Sequence, residues 1–212
     1  MHPYPRTIAA SGAHEIVVKK SRFICTVNQA ATEEEARAAI DEVRRRHWDA
    51  SHNCSAYRIG PGGQLQRTSD DGEPAGTAGA PMLAVLARRD LSDAVAIVTR
   101  HFGGILLGAG GLIRAYGSAV SAAIEAVGIV ERRPVALVAV AAEHGDAGRL
   151  EHALRTAEYA LGPVTHAANV SFEVRLDEGD LPAFETWLAE ATNGRSRARI
   201  VGQIHVEVAV AS

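Results

Sequence analysis

The chain has 212 residues, 47% hydrophobic and 22% charged, which is enough for one large domain or two small ones with real cores. This balance excludes a disordered chain, and no apolar run approaches the roughly 20 residues that a membrane helix needs. The two cysteines, Cys25 and Cys54, give no disulfide framework, which indicates a reducing compartment. We therefore expect a cytoplasmic protein without membrane contacts.

The net charge of −3 excludes a globally basic protein that binds polyanions through its overall charge. The two halves of the chain differ in charge. Up to Arg132 there are 15 basic and 14 acidic residues, whereas from Arg133 onward there are 7 basic and 11 acidic residues. Any contact with nucleic acid therefore has to use a local patch in the N-terminal half.

The first half of the chain predicts an alternation of strands and helices. In chain order we expect strands at 15–18 and 21–27, a helix at 33–46, a hairpin of strands 54–59 and 64–68, a helix at 80–89, a strand at 94–102 and a helix at 112–127. The first helix has apolar residues at three- and four-residue spacing, with Thr32 as its N-cap. The segment Gly60–Gly63 is a clear turn signal for the hairpin.

The second half predicts a β-α-β-β-α-β order, which is that of the ferredoxin-like fold. We expect strands at 135–142, 164–168, 170–176 and 197–210, and helices at 146–158 and 181–192. Arg132-Arg133-Pro134 marks the expected boundary, so the predicted domains are 1–132 and 135–212. The second domain has no dense polar constellation, and we expect it to have a structural or docking role.

A glycine-rich segment links the strand 94–102 to the helix 112–127. Five glycines fall within nine residues: Gly103, Gly104, Gly108, Gly110 and Gly111. Exposed glycine backbone and a helix N-terminus are typical of phosphate sites, and Arg100 and Arg114 bracket the loop. The alternative is a tight turn with close helix–strand packing. The segment is not a P-loop, because no Gly-Lys-Ser/Thr follows it, and Ile113 replaces the third glycine of a Rossmann fingerprint.

An acidic turn, Ser69–Gly79, precedes the helix at 80–89. Its carboxylates, Asp70, Asp71 and Glu73, could hold Mg²⁺ or accept hydrogen bonds from a partner's basic groups. Their order departs from that of an EF-hand loop. The alternative, which spacing alone favours, is a turn and helix N-cap in which the side chains satisfy free backbone N–H groups.

A third cluster, His52-Asn53-Cys54, is a candidate polar site. With His47 it offers only three ligands for zinc, and no second cluster follows at conventional spacing. Cys54 opens a predicted strand, so packing is favoured over thiol catalysis, and we expect no metal.

A short basic run near the N-terminus supplies the candidate nucleic-acid contacts: Lys19, Lys20 and Arg22. Such runs are usually solvated edges of a fold. This run, however, lies in the domain that carries the glycine-rich segment.

Several stretches together resemble the YigZ/IMPACT family: 20–24, 52–54, 69–79, 100–104 and 108–117, the last of which includes Tyr116. The resemblance covers residues from about 15 to 130, and the C-terminal half is similar to the small domain that bacterial members add. It implies an N-terminal domain of the ribosomal-protein and small-molecule-kinase superfold, and a C-terminal domain like those of elongation factor G. His101 departs from the family, which usually has an aromatic residue there.

The resemblance also bears on function, since eukaryotic relatives bind a translation-associated activator and restrain a kinase that phosphorylates an initiation factor. The RWD-type domain of those relatives is not seen in this sequence, so we do not expect the kinase role to carry over directly. We expect instead a non-enzymatic, translation-associated protein that binds RNA, a ribosomal surface or a protein partner, without a cofactor.

The alternative is an enzyme acting on a phosphate ligand, with the Gly103–Gly111 loop as cradle and the acidic turn for metal or base work. The absence of a catalytic lysine from the loop counts against it. Either function predicts that the acidic turn and the glycine-rich segment lie against each other, with carboxylates of the turn beside Arg100 or Arg114. No surface array of aromatic side chains is evident, so we expect RNA binding with little sequence preference.

Overall fold

The computed structural model describes residues 5–210, and these residues form two compact units. The second unit is Arg133–Val206, and the first unit holds the remaining described residues, including those from Glu207 onward. The outer limits of the predicted domains, residues 1 and 212, lie outside the described part of the chain. The first unit includes the described residues from Glu207 onward, whereas the sequence suggests a second domain of 135–212.

The first unit is built from six strands and three helices. Its longer strands coincide with apolar runs of the sequence. The strands are β1 Arg6–Ile8, β2 Gly12–Val18, β3 Ser21–Gln29, β4 His52–Ile59, β5 Leu65–Ser69 and β6 Ala94–His101, and the helices are α1 Glu33–Arg46, α2 Gly79–Arg88 and α3 Ala109–Val127. A 3-10 turn, Pro61–Gly63, connects β4 to β5 where the sequence predicts a turn. At α1, the Thr32 hydroxyl accepts a hydrogen bond from the Glu35 N–H at 3.2 Å, as expected of an N-cap.

Strands β2 to β6 form one antiparallel sheet in the order β2-β3-β6-β4-β5. Strand β6 is buried on both faces. Val95 and Ile97 pack with the apolar residues of α1, whereas Ala96 and Val98 pack with those of α2 and α3. This double burial explains why β6 is a continuous apolar run in the sequence and not an alternating one.

The second unit has the predicted ferredoxin-like order. Its elements are β7 Ile129–Ala142, which begins in the first unit, α4 His144–Thr156, β8 Ala160–His166, β9 Val170–Asp177, α5 Leu181–Thr192 and β10 Ala198–Ala209, which ends in the first unit. The sheet order is β10-β7-β9-β8, with β9 antiparallel to both of its neighbours. Phe172, Leu154 and Phe184 are fully buried between this sheet and its helices.

Strand β1 is not among the predicted elements, and β8 begins four residues before the predicted strand 164–168, because Gly162 and Pro163 interrupt its apolar pattern. Strand β1 has only three residues and pairs antiparallel with the start of β7, with Thr7 opposite Val130. A three-residue strand carries too little periodicity to be recognised from sequence. The expected boundary at Arg132-Arg133-Pro134 coincides with the start of the second unit at Arg133, and it lies inside β7.

No helix within residues 5–210 is both long and apolar enough to cross a membrane.

Candidate functional site

A buried ion pair joins the acidic turn to the end of β6. Arg100 Nη1 donates to Glu73 Oε1 at 2.6 Å, and the two side chains are only 6% and 3% exposed. The Tyr116 hydroxyl, on α3, donates to the same oxygen at 2.8 Å, and burial raises the pKa of this phenol, which keeps it protonated as a donor. The Arg100 guanidinium also lies 5.4 Å from the ring centre of Phe23 and 5.5 Å from that of Phe102.

Asp70 has a structural task at the start of α2. Its carboxylate accepts the backbone N–H groups of Gly76 at 2.8 Å, Ala78 at 3.1 Å and Gly79 at 2.8 Å. Burial by itself would raise the pKa of Asp70, but the three N–H donors bind the charged form and lower the pKa below its ordinary value. The alternative of a turn and helix cap therefore describes this residue.

Asp71 ties the acidic turn to β4. Its side chain accepts the Asn53 N–H at 2.7 Å and pairs with Arg44 at 3.2 Å, while its carbonyl lies 2.8 Å from His52 Nδ1. The three carboxylates of the turn therefore have different hydrogen-bond partners. Among residues 5–210, no group of three His, Cys, Asp or Glu side chains is arranged to hold a metal ion.

The cluster His52-Asn53-Cys54 is largely occupied by packing and internal hydrogen bonds. The Cys54 thiol donates to the carbonyl of Asp70 at 3.0 Å, and burial raises its pKa to about 12, so it stays protonated and is a poor nucleophile. The Asn53 side-chain oxygen accepts the Thr99 hydroxyl at 2.7 Å. Only His52 is partly exposed, with Nε2 3.9 Å from Glu73 Oε1.

Packing and backbone geometry account for most of the glycines between β6 and α3. A side chain at Gly103 would overlap the backbone of Lys20, and its N–H donates to the Ser21 hydroxyl at 3.1 Å. Gly104 and Gly108 have φ values of 84° and 70°, which favour glycine. Gly111 abuts the Leu107 side chain, whereas Gly110 is open, with its nearest neighbour at 3.6 Å.

The acidic turn and the glycine-rich segment line one cavity of about 430 Å³, which confirms that they lie against each other. We call it the apolar pocket. Its walls include Pro74 from the turn and Phe102, Leu106, Leu107 and Leu112 from the segment and α3. Glu73 and Arg100 supply its main polar groups together with His52. Glu73 lies beside Arg100, as one of the two expected arrangements requires, whereas Asp70, Asp71 and Arg114 do not line the pocket, so a single site that includes all of them is not formed.

Arg114 lies instead in a second depression, of about 240 Å³, which we call the basic groove. It is lined by Lys19, Arg114, Leu107 and Gly111, together with Val18. Lys19 and Lys20 form the two-residue turn between β2 and β3, with φ values of 47° and 65°, and both side chains are exposed.

The remaining predicted cationic contacts are less available for an anion. Arg22 pairs with Glu15 through two hydrogen bonds of 2.9 Å on the surface. Arg100 is buried against Glu73, so its charge is matched inside the protein. Proximity along the chain does not distinguish these arginines from Arg114.

The second unit has a polar cleft that sequence reasoning missed. Its volume is about 430 Å³, and Arg149, Arg195 and Arg197 line it together with Asp146. Asp146 pairs with Arg149 at 3.1 Å and with Arg195 at 2.7 Å. These side chains come from α4 and the connection after α5, so their proximity appears only in the folded chain.

The family comparisons match the two halves of the chain separately. The Impact N-terminal domain matches residues 19–124, and a domain of unknown function (DUF1949) matches residues 140–195. Among solved structures, a crystal structure of a hypothetical protein is 33% identical, with a TM-score of 0.60, and covers 95% of this chain and 99% of its own.

Two relatives are similar over most of both chains, and a third over less than half of each. The IMPACT family member YvyE of Bacillus subtilis is 45% identical over 99% of this chain and 96% of its own. The IMPACT family member YigZ of Escherichia coli is 36% identical over 84% of this chain and 88% of its own. A protein IMPACT homolog of Schizosaccharomyces pombe is 34% identical over 44% of this chain and 34% of its own.

Proposed function

Since this chain belongs to the IMPACT family, we propose that it is a translation-associated binding protein that holds the phosphate backbone of RNA on its first unit. The association with translation is what the family resemblance implies. The choice of RNA is supported by the charges of the folded chain.

The observation that carries the proposal is the convergence of Lys19 and Arg114 in the basic groove. The two residues are far apart in sequence and come from a hairpin turn and from α3. Neither side chain pairs with a carboxylate among residues 5–210, so both charges face solvent. Exposed, uncompensated cations that line one groove are the electrostatic basis of phosphate binding.

The start of α3 adds to this positive surface. The N–H groups of Ala109, Gly110 and Gly111 have no acceptor within the described part of the chain. Such groups carry the partial positive charge of the helix N-terminus. Gly111 lines the basic groove, so this end of the helix lies beside the two cations.

A phosphate-ligand enzyme is less well supported. Asp70 is committed to the start of α2, Asp71 to β4, and Glu73 to its pair with Arg100. A general base needs a carboxylate that is free to take a proton from a substrate, and each of these already accepts hydrogen bonds from other groups of the protein.

Filter binding of single-stranded RNA to the full chain across a salt series tests the proposal. Wild-type affinity should fall steeply with salt. The double variant Lys19→Ala, Arg114→Ala should weaken binding and reduce the slope of log affinity against log salt concentration by about 1.4 to 1.8, at roughly 0.7–0.9 per phosphate contact. Arg45→Ala is the matched control. It removes an exposed charge from α1, on the other face of the sheet, and should change neither quantity.

Two results would overturn the proposal. The first is an absence of RNA binding at low salt, in which case we would assign the same surface to binding of a protein partner. The second is binding that does not depend on salt or on Lys19 and Arg114.

A further inference from the structure

We infer that the apolar pocket beside the basic groove receives one unpaired nucleobase of the bound strand, which makes single-stranded RNA the preferred ligand. The inference rests on the proposed function and adds the class of ligand. It depends on three properties of the pocket: its walls, its polar groups and its position beside the groove.

The walls of the pocket suit a flat, apolar-faced ligand. Its volume of about 430 Å³ falls in the range of small-ligand sites and holds a base with room to spare. Phe102 is 49% exposed and Leu106 is 83% exposed, which is unusual for side chains of this size. When a base stacks on an exposed aromatic ring, the face of the base and the face of the ring that meet are both removed from water.

Two polar atoms on side chains that line the pocket have no hydrogen-bond partner among residues 5–210. Arg100 and Tyr116 both donate to Oε1 of Glu73, and no donor among residues 5–210 reaches Oε2. Nε of Arg100 is buried and also has no hydrogen-bond partner, although Arg100 is only 5% exposed. Buried polar atoms without a partner are rare in folded proteins, and this one belongs to a side chain that lines the pocket.

These groups indicate which edge of a base would be recognised. The Glu73 carboxylate lines the pocket, and its oxygen Oε2 is free to accept a hydrogen bond from an N–H donor of a ligand. Adenine, cytosine and guanine carry an exocyclic amino group, whereas uracil offers only a ring N–H between two carbonyl oxygens. The pocket should therefore favour an amino-bearing base over uracil.

The position of the pocket links the base to the phosphate backbone. Leu107 lines both the apolar pocket and the basic groove, so the two depressions share a wall. A base enters such a pocket only if it is not paired and stacked in a duplex. The sequence predicts no surface array of aromatic side chains, and the pocket has one exposed aromatic ring, that of Phe102, which suits one base.

Fluorescence anisotropy of labelled oligomers of A, C and U and of an RNA duplex tests the inference with the full chain. We expect single strands of A or C to bind more tightly than U or the duplex. Phe102→Leu should lower the single-strand affinity about tenfold without changing the salt slope, because it removes stacking but no charge. Ile200→Ala is the control, since Ile200 is a similarly exposed apolar residue (57%) in the second unit.

A second variant, Leu106→Ala, tests the inference if Phe102→Leu disturbs the packing of the Phe102 ring against Arg100. Leu106 lies in an exposed loop, and its truncation should lower the single-strand affinity about threefold, by loss of apolar contact. Equal affinity for single strands and duplex, with neither variant having an effect, would overturn the pocket but leave phosphate binding intact. A failure of the wild-type chain to bind any RNA would instead overturn the proposed function.

Discussion

At the scale of single residues, neighbouring carboxylates in one short turn have separate tasks. Asp70 satisfies backbone donors, Asp71 holds β4 and an arginine of α1, and Glu73 is buried with Arg100. A buried pair such as Glu73–Arg100 is a weak source of stability, because desolvation offsets most of its attraction. Its consequence here is positional, since it fixes the Glu73 side chain in the wall of the apolar pocket.

The carboxylate of Asp70 should make folding stability depend on pH. Its pKa is lower in the folded protein than in the unfolded chain, because three backbone N–H groups bind the charged form against the opposing effect of burial. The stabilisation is therefore fully present above the unfolded pKa of about 3.9, and it is lost as the pH falls through the folded value. We expect Asp70→Asn to lower the free energy of unfolding by about 1–2 kcal/mol at pH 7.

Urea denaturation of the wild-type chain and Asp70→Asn between pH 7 and acidic pH measures this effect. The difference between the two should shrink as the pH is lowered. Asp49→Asn is the control, because Asp49 is exposed and accepts no hydrogen bond from residues 5–210. A difference for Asp70→Asn that stays constant with pH would show that its charged form has no special role.

At the scale of elements, the glycine-rich segment is where hairpin β2–β3, strand β6 and helix α3 meet. Gly103→Ala should destabilise the protein by about 1–3 kcal/mol, because the new methyl group would overlap the rigid backbone of Lys20 and Ser21. Gly110→Ala is the matched control, in the open first turn of α3. It should be neutral or stabilise by up to about 1 kcal/mol, since alanine costs less conformational entropy than glycine.

Thermal unfolding of both variants distinguishes packing from ligand binding as the reason for these glycines. If Gly103→Ala unfolds at the wild-type temperature, the close contact with the hairpin is not what requires glycine. If Gly110→Ala keeps its stability but loses RNA affinity, the open backbone at that position contributes to the proposed phosphate site.

At the scale of the whole molecule, local patterns carry most of the fold but little of the site. Helices α1 and α5 begin and end at the predicted residues, because caps and apolar spacing act over a few positions. The segregation of Arg100 from Arg114 was not predictable, since it depends on which face of β6 and α3 each one occupies. The free Oε2 of Glu73 and the exposure of Phe102 likewise follow from tertiary packing, which leaves no periodic signal.

The division into two folding units remains a proposal that truncation can test. We expect the fragment 1–132 to fold and to keep the RNA affinity of the full chain within about threefold, because the basic groove and the apolar pocket lie wholly within it. It should be less stable than the first unit of the intact chain. It lacks Glu207, whose carboxylate lies 3.3 Å from Arg132 Nε, and the Val210 N–H, which donates to the Ile129 carbonyl at 3.0 Å.

The fragment 133–212 completes this test, because its arginine-lined cleft is the alternative anion site of the chain. Circular dichroism should show cooperative unfolding of this fragment, since its sheet and helices enclose a core of their own. Its RNA affinity should be weak, because Asp146 already pairs with two of the arginines and the segment from Arg133 onward is net acidic. RNA binding retained by 133–212 and lost by 1–132 would place the phosphate site in the cleft and remove the basic groove as its location.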